Sequence, residues 1–160
     1  VPEGILNKIG KFTNEEFEMM KAHTTEGYEL LNFLPLINDG EFNKIAKEMA
    51  LCHHEKWDGS GYPNKLKGTD IPLSARILAA ADVMDAILSE RLYKKPKSIE
   101  EAIEIFEDSK GTHFEPCIVK AVINIKDKIA AIDQEFKISE EQTNVKEKEW
   151  WDRYHKNLKS

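Results

Sequence analysis

Several features are scarce or missing in this sequence, and each scarcity argues against a class of protein. Two of the 160 residues are cysteine, Cys52 and Cys117, and neither belongs to a Cys-x-x-Cys pair. We therefore expect reduced thiols of a cytosolic protein and neither a disulfide framework nor a cysteine-based zinc site. No apolar run approaches the roughly 20 residues that a bilayer span requires, and no basic-then-apolar leader opens the chain. The sequence therefore predicts a soluble, cytoplasmic protein.

An excess of positive charge is also missing. The chain has 23 Lys and Arg against 29 Asp and Glu, which gives a net charge of −6 with its five His neutral. This balance disfavours a nucleic-acid polymer as partner, although a local basic cluster could still hold a small phosphate ligand. Length and apolar content are sufficient, because 160 residues of which 41% are hydrophobic can form one domain with a core.

The apolar residues recur mainly at helical spacing, so the sequence predicts an all-α fold. A capping box at Thr13 and Glu16 opens a helix that we expect to reach residue 22, and a new cap at residues 23–25 starts a second helix that ends before Pro35. Further helices are predicted over residues 41–55, 73–88, 98–110 and 116–136, the third of these opened by a capping box at Ser98 and closed by Gly111.

A final amphipathic helix is predicted near the end of the sequence. The segment from Ser139 to Gln142 reads as its cap, and Trp151, Tyr154 and Leu158 form its apolar stripe. We therefore expect a domain of residues 1–137 and an appended helix in residues 138–160, which docks on that domain or on a partner.

The densest group of chemically useful side chains lies in residues 53–63, which read HHEKWDGSGYP. His53 falls on the apolar face of its predicted helix, and a lone histidine in such a place is more commonly a hydrogen-bonded core residue. His54 follows it directly, and Glu55, Asp58 and a glycine loop come next. Because neutral imidazole and carboxylate are common metal ligands, this combination favours a metal centre.

The loop of residues 56–72 is longer than a connection in a compact domain usually needs, which favours a functional role. Asp82 and Asp85 follow within a strongly apolar predicted helix. A buried carboxylate is costly unless it is paired or bound to a cation. Arg76 could pair with one of the two in a purely structural role, and a metal near the histidines could bind the other.

These residues and others at fixed spacing resemble the HD-GYP family, a subgroup of the HD-domain metal-dependent phosphohydrolases. The resemblance covers roughly residues 1–125 and rests on His53-His54-Glu55, Asp58-Gly59, Gly61-Tyr62-Pro63, Ala75-Arg76-Ile77, Asp82-Val83-Met84-Asp85, Arg91, Tyr93-Lys94 and His113-Phe114. So many matched positions make it far more specific than a single short motif.

The resemblance implies an HD-domain-like helical bundle around two or three metal ions, commonly iron or manganese. It implies hydrolysis of the bacterial messenger cyclic di-GMP to pGpG and onward to GMP. The residues that it assigns are His23, His53, His54 and Asp82 as metal ligands, Tyr62, Arg91 and Lys94 as substrate contacts, and Asp58, Gly59, Gly61, Pro63, Arg76 and Asp85 as structural or loop residues. The partners it implies are a diguanylate cyclase domain and an upstream sensor or receiver domain, as in two-component response regulators.

One departure from the family pattern is expected to matter. Family members carry a His-Asp doublet, followed by a Lys, just before the segment that residues 1–7 resemble, and this sequence starts after both. In the family that Asp bridges the metals. The resemblance therefore implies that the 160-residue chain hydrolyses little by itself and that a chain extended upstream hydrolyses more.

Two other kinds of function stay open. One is a catalytically inactive module that binds a cyclic dinucleotide, or that contacts a partner signalling domain through the loop around Tyr62. The other is a purely structural helical domain with buried polar pairs, which predicts that no metal binds.

Overall fold

The computed structural model describes residues 1–6, 8, 10–33, 40–89 and 95–157, and in these residues it contains seven α-helices and no β-strand. The helices are α1 Glu3–Leu6, α2 Asn14–Phe33, α3 Gly40–Cys52, α4 Leu73–Leu88, α5 Ile99–Asp108, α6 Pro116–Asn124 and α7 Lys126–Asn157, and a 3₁₀ turn, Gly68–Asp70, precedes α4. The predicted all-α class is confirmed. In these same ranges no helix is long and apolar enough to cross a membrane.

Both predicted capping boxes are present. In the first, Thr13 donates its backbone N–H to a Glu16 carboxylate oxygen at 2.7 Å, and the Glu16 N–H donates to the Thr13 hydroxyl at 3.2 Å. In the second, Ser98 and Glu101 exchange the same pair of bonds at 2.9 and 3.2 Å. Each box satisfies two of the amide groups that the first turn of a helix leaves without a partner.

The predicted break in the middle of α2 is wrong, since the helix runs without interruption to Phe33. Its two threonines donate their hydroxyls to carbonyl oxygens one turn earlier, Thr24 to Lys21 at 2.9 Å and Thr25 to Ala22 at 3.0 Å. A threonine that bonds backward in this way stays inside a helix, whereas a cap bonds forward to an amide.

The chain divides into two compact units, Val1–Asn124 and Ile125–Ser160. The predicted helix over residues 116–136 is instead two helices, and α7 continues through Ser139, so that serine does not cap a helix. The boundary between residues 137 and 138 stays a prediction. Trp151, Tyr154 and Leu158, the predicted apolar stripe, lie outside the side chains that the structure describes.

Helix α4 supplies the largest group of core residues, and it packs against α3, α5 and α6. The buried positions along it are Ala75, Ala79, Ala80, Met84, Ile87 and Leu88. Its other side is open, because Leu73 and Ile77 are more than half exposed at 56% and 54%. Asp82 and Asp85 lie on the exposed part of this helix as well, so the expectation that they are buried was wrong.

The loop between α3 and α4 is fixed by main-chain hydrogen bonds to the loop that follows α5. The Trp57 N–H donates to the His113 carbonyl at 3.0 Å, and the Asp58 N–H donates to the Thr112 carbonyl at 2.9 Å. The loop also closes on itself, since the Gly68 N–H donates to the Trp57 carbonyl at 2.9 Å. These bonds give a long loop one defined path.

Gly61 lies where this loop passes close to the backbone of residues 55 and 56, just after the end of α3. A Cβ atom at Gly61 would lie 2.3 Å from the Lys56 nitrogen and 2.5 Å from the Glu55 Cα. Both of those atoms are backbone, so no rotation of a side chain could make room.

We expect Gly61→Ala to lower the free energy of unfolding by about 1–3 kcal/mol, because the added methyl forces this part of the loop away from the backbone of residues 55 and 56. Gly27→Ala is the matched control, since a Cβ there would meet Ala50 at an ordinary 3.7 Å. Gly27 lies inside α2, so alanine should be neutral or stabilising by up to about 1 kcal/mol. Urea unfolding followed by circular dichroism measures both, and equal effects would contradict the steric account.

Candidate metal centre

The structure brings His23, His53 and His54 together, and their candidate ligand atoms all lie within 4.8 Å of one another. His23 lies on α2, whereas His53 and His54 come directly after the last residue of α3. The packing of α2 on α3 therefore creates the cluster. The ring centroids are 5.3 Å apart for His23 and His53, 4.9 Å for His23 and His54, and 4.1 Å for His53 and His54.

Backbone carbonyls fix the tautomers of two of these rings. The Nδ1 atom of His23 lies 2.6 Å from the Met20 carbonyl oxygen, and the Nδ1 atom of His53 lies 2.9 and 3.0 Å from those of Met49 and Ala50. A carbonyl oxygen can only accept, so we assign the proton of each ring to Nδ1. In the neutral rings both Nε2 atoms then carry a lone pair.

These two Nε2 atoms face each other at 3.3 Å. Two lone pairs at that distance repel, and neither nitrogen has a hydrogen to share. A divalent cation relieves this repulsion, because it accepts lone pairs from several imidazoles at once. Ligating histidines also commonly donate their other N–H to a backbone carbonyl, as His23 and His53 do here. The donor set therefore fits a metal ion.

The third ring of the cluster is also kept in the form that binds metals. Burial, followed by the proximity of His53 and His23, lowers the pKa of His54 to about 4. The ring is therefore neutral at physiological pH, and it offers a lone pair to a cation.

Tyr62 lies beside this cluster, and its ring centroid is 4.9 Å from that of His54. Its N–H donates to the His54 carbonyl at 3.1 Å, which ties the loop to the histidines. Burial, and after it the negative charge of Asp82, raises the pKa of Tyr62 to about 12. The phenol therefore keeps its proton and acts as a hydrogen-bond donor at neutral pH.

Asp82, the fourth predicted ligand, is not part of the group that lies within 4.8 Å among the described residues. Its negative charge contributes to the raised pKa of Tyr62, after burial. The alternative pairing with Arg76 is contradicted, because Arg76 forms an ion pair with Glu115. The role of Asp82 as a ligand stays a prediction.

The second carboxylate that was expected to pair with Arg76 also has a different partner. Asp85 accepts a hydrogen bond from the Ser89 hydroxyl at 3.1 Å. The guanidinium carbon of Arg76 lies 5.7 Å from the centre of the Trp57 ring, so Arg76 links α4 to the loop and, through Glu115, to the start of α6. Arg76 thus has a structural contact, though not the one that the sequence suggested.

Glu55 follows the two histidines, and it braces the loop. It is 2% exposed, and its two carboxylate oxygens accept the backbone N–H groups of Asn64 at 2.7 Å and Leu66 at 3.1 Å. Asp58 accepts the Ser60 N–H at 2.8 Å in the same loop, and hydrogen bonding from the Ser60 side chain, followed by its backbone, lowers the pKa of Asp58. Both carboxylates therefore shape the loop that carries Tyr62.

Two further neighbours of Tyr62 were not singled out from the sequence. The Phe17 ring lies edge-on to the Tyr62 ring at a centroid distance of 6.0 Å, and the Lys21 ammonium lies 4.8 Å from the Phe17 centroid. In the sequence, both occur in the helix predicted after the Thr13 capping box, and neither was given a role in the site. Their spacing of four residues on one helix was the available signal.

Arg91 and Lys94, the other predicted substrate contacts, lie outside the described residues, as does Tyr93.

Comparison with known proteins identifies the family. Residues 1–118 match the HD domain family. The chain belongs to this family. Members of it that act as phosphohydrolases are metal-dependent, and the histidine cluster is where the described chain fits a metal.

Curated relatives place the chain in the HD-GYP branch of the family. A cyclic di-GMP phosphodiesterase of Vibrio cholerae is 45% identical over 138 residues, which are 86% of this chain and 28% of the relative. One of Thermotoga maritima is 42% identical over 132 residues, 82% of this chain and 35% of the relative. The 3′3′-cGAMP-specific phosphodiesterase 2 of Vibrio cholerae is 45% identical over 132 residues, which are 82% of this chain and 24% of the relative. The chain thus spans about a quarter to a third of the length of these relatives.

We expect His53→Ala to weaken binding of a divalent cation at least about tenfold, because it removes one nitrogen of the facing pair. Isothermal titration with Mn²⁺ measures the affinity, and His23→Ala should behave in the same way. His113→Gln is the control, since this histidine lies outside the cluster. Unchanged affinity in His53→Ala would contradict the assignment of the metal centre.

Proposed function

We propose that this chain carries the metal- and nucleotide-binding centre of a phosphodiesterase that hydrolyses cyclic di-GMP to pGpG and onward to GMP. The observation that carries the proposal is the facing pair of Nε2 atoms on His23 and His53, next to the hydrogen-bond donor Tyr62. Relatives from Vibrio cholerae and Thermotoga maritima that bear the name cyclic di-GMP phosphodiesterase support the choice of substrate.

His23, His53 and His54 hold the metal in this proposal, with Asp82 as a further ligand. Iron or manganese is the proposed metal, in two or three copies as in the family pattern. A bound divalent ion polarises a phosphodiester and lowers the pKa of a coordinated water. The backbone carbonyls behind His23 and His53 orient the two rings and keep their Nε2 atoms free of protons.

Tyr62 has the role of a donor to a non-bridging phosphate oxygen. With its pKa raised to about 12 the phenol is protonated at neutral pH, so it donates a hydrogen bond and does not act as a base. Glu55 holds residues 64 and 66 against the end of α3, and it thereby keeps Tyr62 beside His54. Arg91 and Lys94 are proposed as additional contacts to phosphate or guanine, on the strength of the family pattern.

A second candidate is a module that binds the nucleotide, or a partner such as a diguanylate cyclase or receiver domain, without hydrolysis. One observation favours it. Among the described residues the cluster consists of three histidines and contains no carboxylate. Two-metal phosphodiesterases generally need a charged ligand to hold both ions close together.

The test is turnover of cyclic di-GMP with Mn²⁺ or Fe²⁺ by the product of the whole reading frame that encodes this chain. We expect pGpG and GMP as products, no turnover in His53→Ala, and turnover reduced about tenfold to a hundredfold in Tyr62→Phe. Metal content should be unchanged in Tyr62→Phe. Tyr28→Phe is the matched control and should keep full turnover.

Other outcomes decide between the alternatives. Tight binding of the nucleotide without turnover would favour the inactive module. A protein that binds neither metal nor nucleotide would be a structural helical domain, and the proposed function would be wrong.

A further inference from the structure

A cationic and aromatic corner borders the candidate site, and the proposed function gives no role to its two residues on α2. The corner consists of Phe17 and Lys21 on α2 together with the Tyr62 ring. Phe17 and Tyr62 meet edge to face, with an angle of 82° between their planes. The Lys21 ammonium lies 4.8 Å from the Phe17 centroid and 5.6 Å from the Tyr62 centroid. One positive charge therefore sits against two aromatic rings.

The Phe17 ring is only partly covered by its neighbours. It is 42% exposed although it lies one turn into a helix that packs on α3. The edge-on contact with Tyr62 holds the ring in one orientation. A fixed and partly open aromatic ring beside a polar site is a surface on which a planar ligand can stack.

Lys21 has hydrogen-bonding capacity to spare. Its ammonium carries three donors and no acceptor, and one donor is directed to a Glu18 carboxylate oxygen at 2.6 Å. The Glu18 side chain is 70% exposed, so this ion pair is weak and gives way readily to a ligand. The remaining donors suit a ligand that offers acceptors at its edge.

The corner lies within reach of a nucleotide whose phosphate sits at the histidines. The ring centroids of His54 and Tyr62 are 4.9 Å apart, and those of Tyr62 and Phe17 are 6.0 Å apart. The ring centroids of His54 and Phe17 are therefore no farther apart than the sum of these two distances. A base attached to a phosphate at the cluster can span such a distance.

We infer that Phe17 and Lys21 form a purine subsite that prefers guanine to adenine. This inference rests on the proposed function. The purine stacks on Phe17, a contact that any base can make. Lys21 donates to N7 and O6, which are both acceptors in guanine, whereas adenine carries an amino donor in place of O6. A donor-only side chain therefore discriminates between the two bases.

Binding of slowly hydrolysed phosphorothioate forms of cyclic di-GMP and cyclic di-AMP tests the inference, with the manganese-loaded product of the whole reading frame. Phe17→Leu keeps an apolar side chain but removes the ring, so it should weaken binding of both ligands about fivefold to a hundredfold. Lys21→Gln should weaken binding of the guanine ligand about fivefold more than that of the adenine ligand.

Phe42→Leu and Lys44→Gln are the matched controls. Phe42 is 54% exposed on α3, and the Lys44 side chain is 74% exposed, so each replaces an open side chain away from the corner. Both should leave the two dissociation constants unchanged. Circular dichroism and manganese content show whether Phe17→Leu is folded, and Lys21→Gln tests the base preference independently.

The outcomes separate this inference from the function on which it rests. If the unaltered protein binds cyclic di-GMP, and Phe17→Leu and Lys21→Gln bind both ligands as it does, the purine subsite is wrong and the proposed function stands. An unaltered protein that binds neither ligand would overturn both.

Discussion

The candidate metal centre depends on two ring nitrogens that face each other without a proton between them. The Nε2 atoms of His23 and His53 lie 3.3 Å apart, while backbone carbonyls take the Nδ1 protons behind them. Such an arrangement is unfavourable in an empty cluster and favourable around a cation. The burial of His54 lowers its pKa and keeps the third ring neutral as well. A site whose residues repel one another unless a ligand is present is a site built for that ligand.

The rest of the first unit holds this geometry in place. Helices α2 and α3 bring the histidines together from two parts of the chain, and the buried carboxylate of Glu55 folds the following loop back so that Tyr62 stands beside them. Gly61 allows the close approach that this folding requires. The loop after α5 holds the same segment from another side, because its carbonyls accept the backbone N–H groups of residues 57 and 58. The metal centre and the proposed nucleotide contacts therefore depend on one continuous set of backbone and side-chain interactions.

The structural features that could be predicted well from the sequence depend on local interactions. Capping boxes and helical periodicity involve residues within one or two turns, so the start of α2, both ends of α4 and the all-α class could be read directly. The break in α2 and the cap at Ser139 failed because the same residue types can also bond within a continuing helix. The partners of Arg76 and Glu55 could not be found from the sequence because they lie 39 and 9 to 11 residues away, and only the tertiary fold decides between such partners. The three histidines could be predicted from the family pattern, whereas the corner at Phe17 needed the packing of Tyr62 against α2.

X-ray absorption at the metal edge of the manganese-loaded protein shows directly whether the facing histidines bind a cation. We expect imidazole scattering from a shell at about 2 Å. This imidazole signal should fall in His23→Ala and in His53→Ala. A shell of oxygen ligands without imidazole scattering would contradict the assignment of the metal to the histidines, because the facing nitrogens would then have no cation to bind.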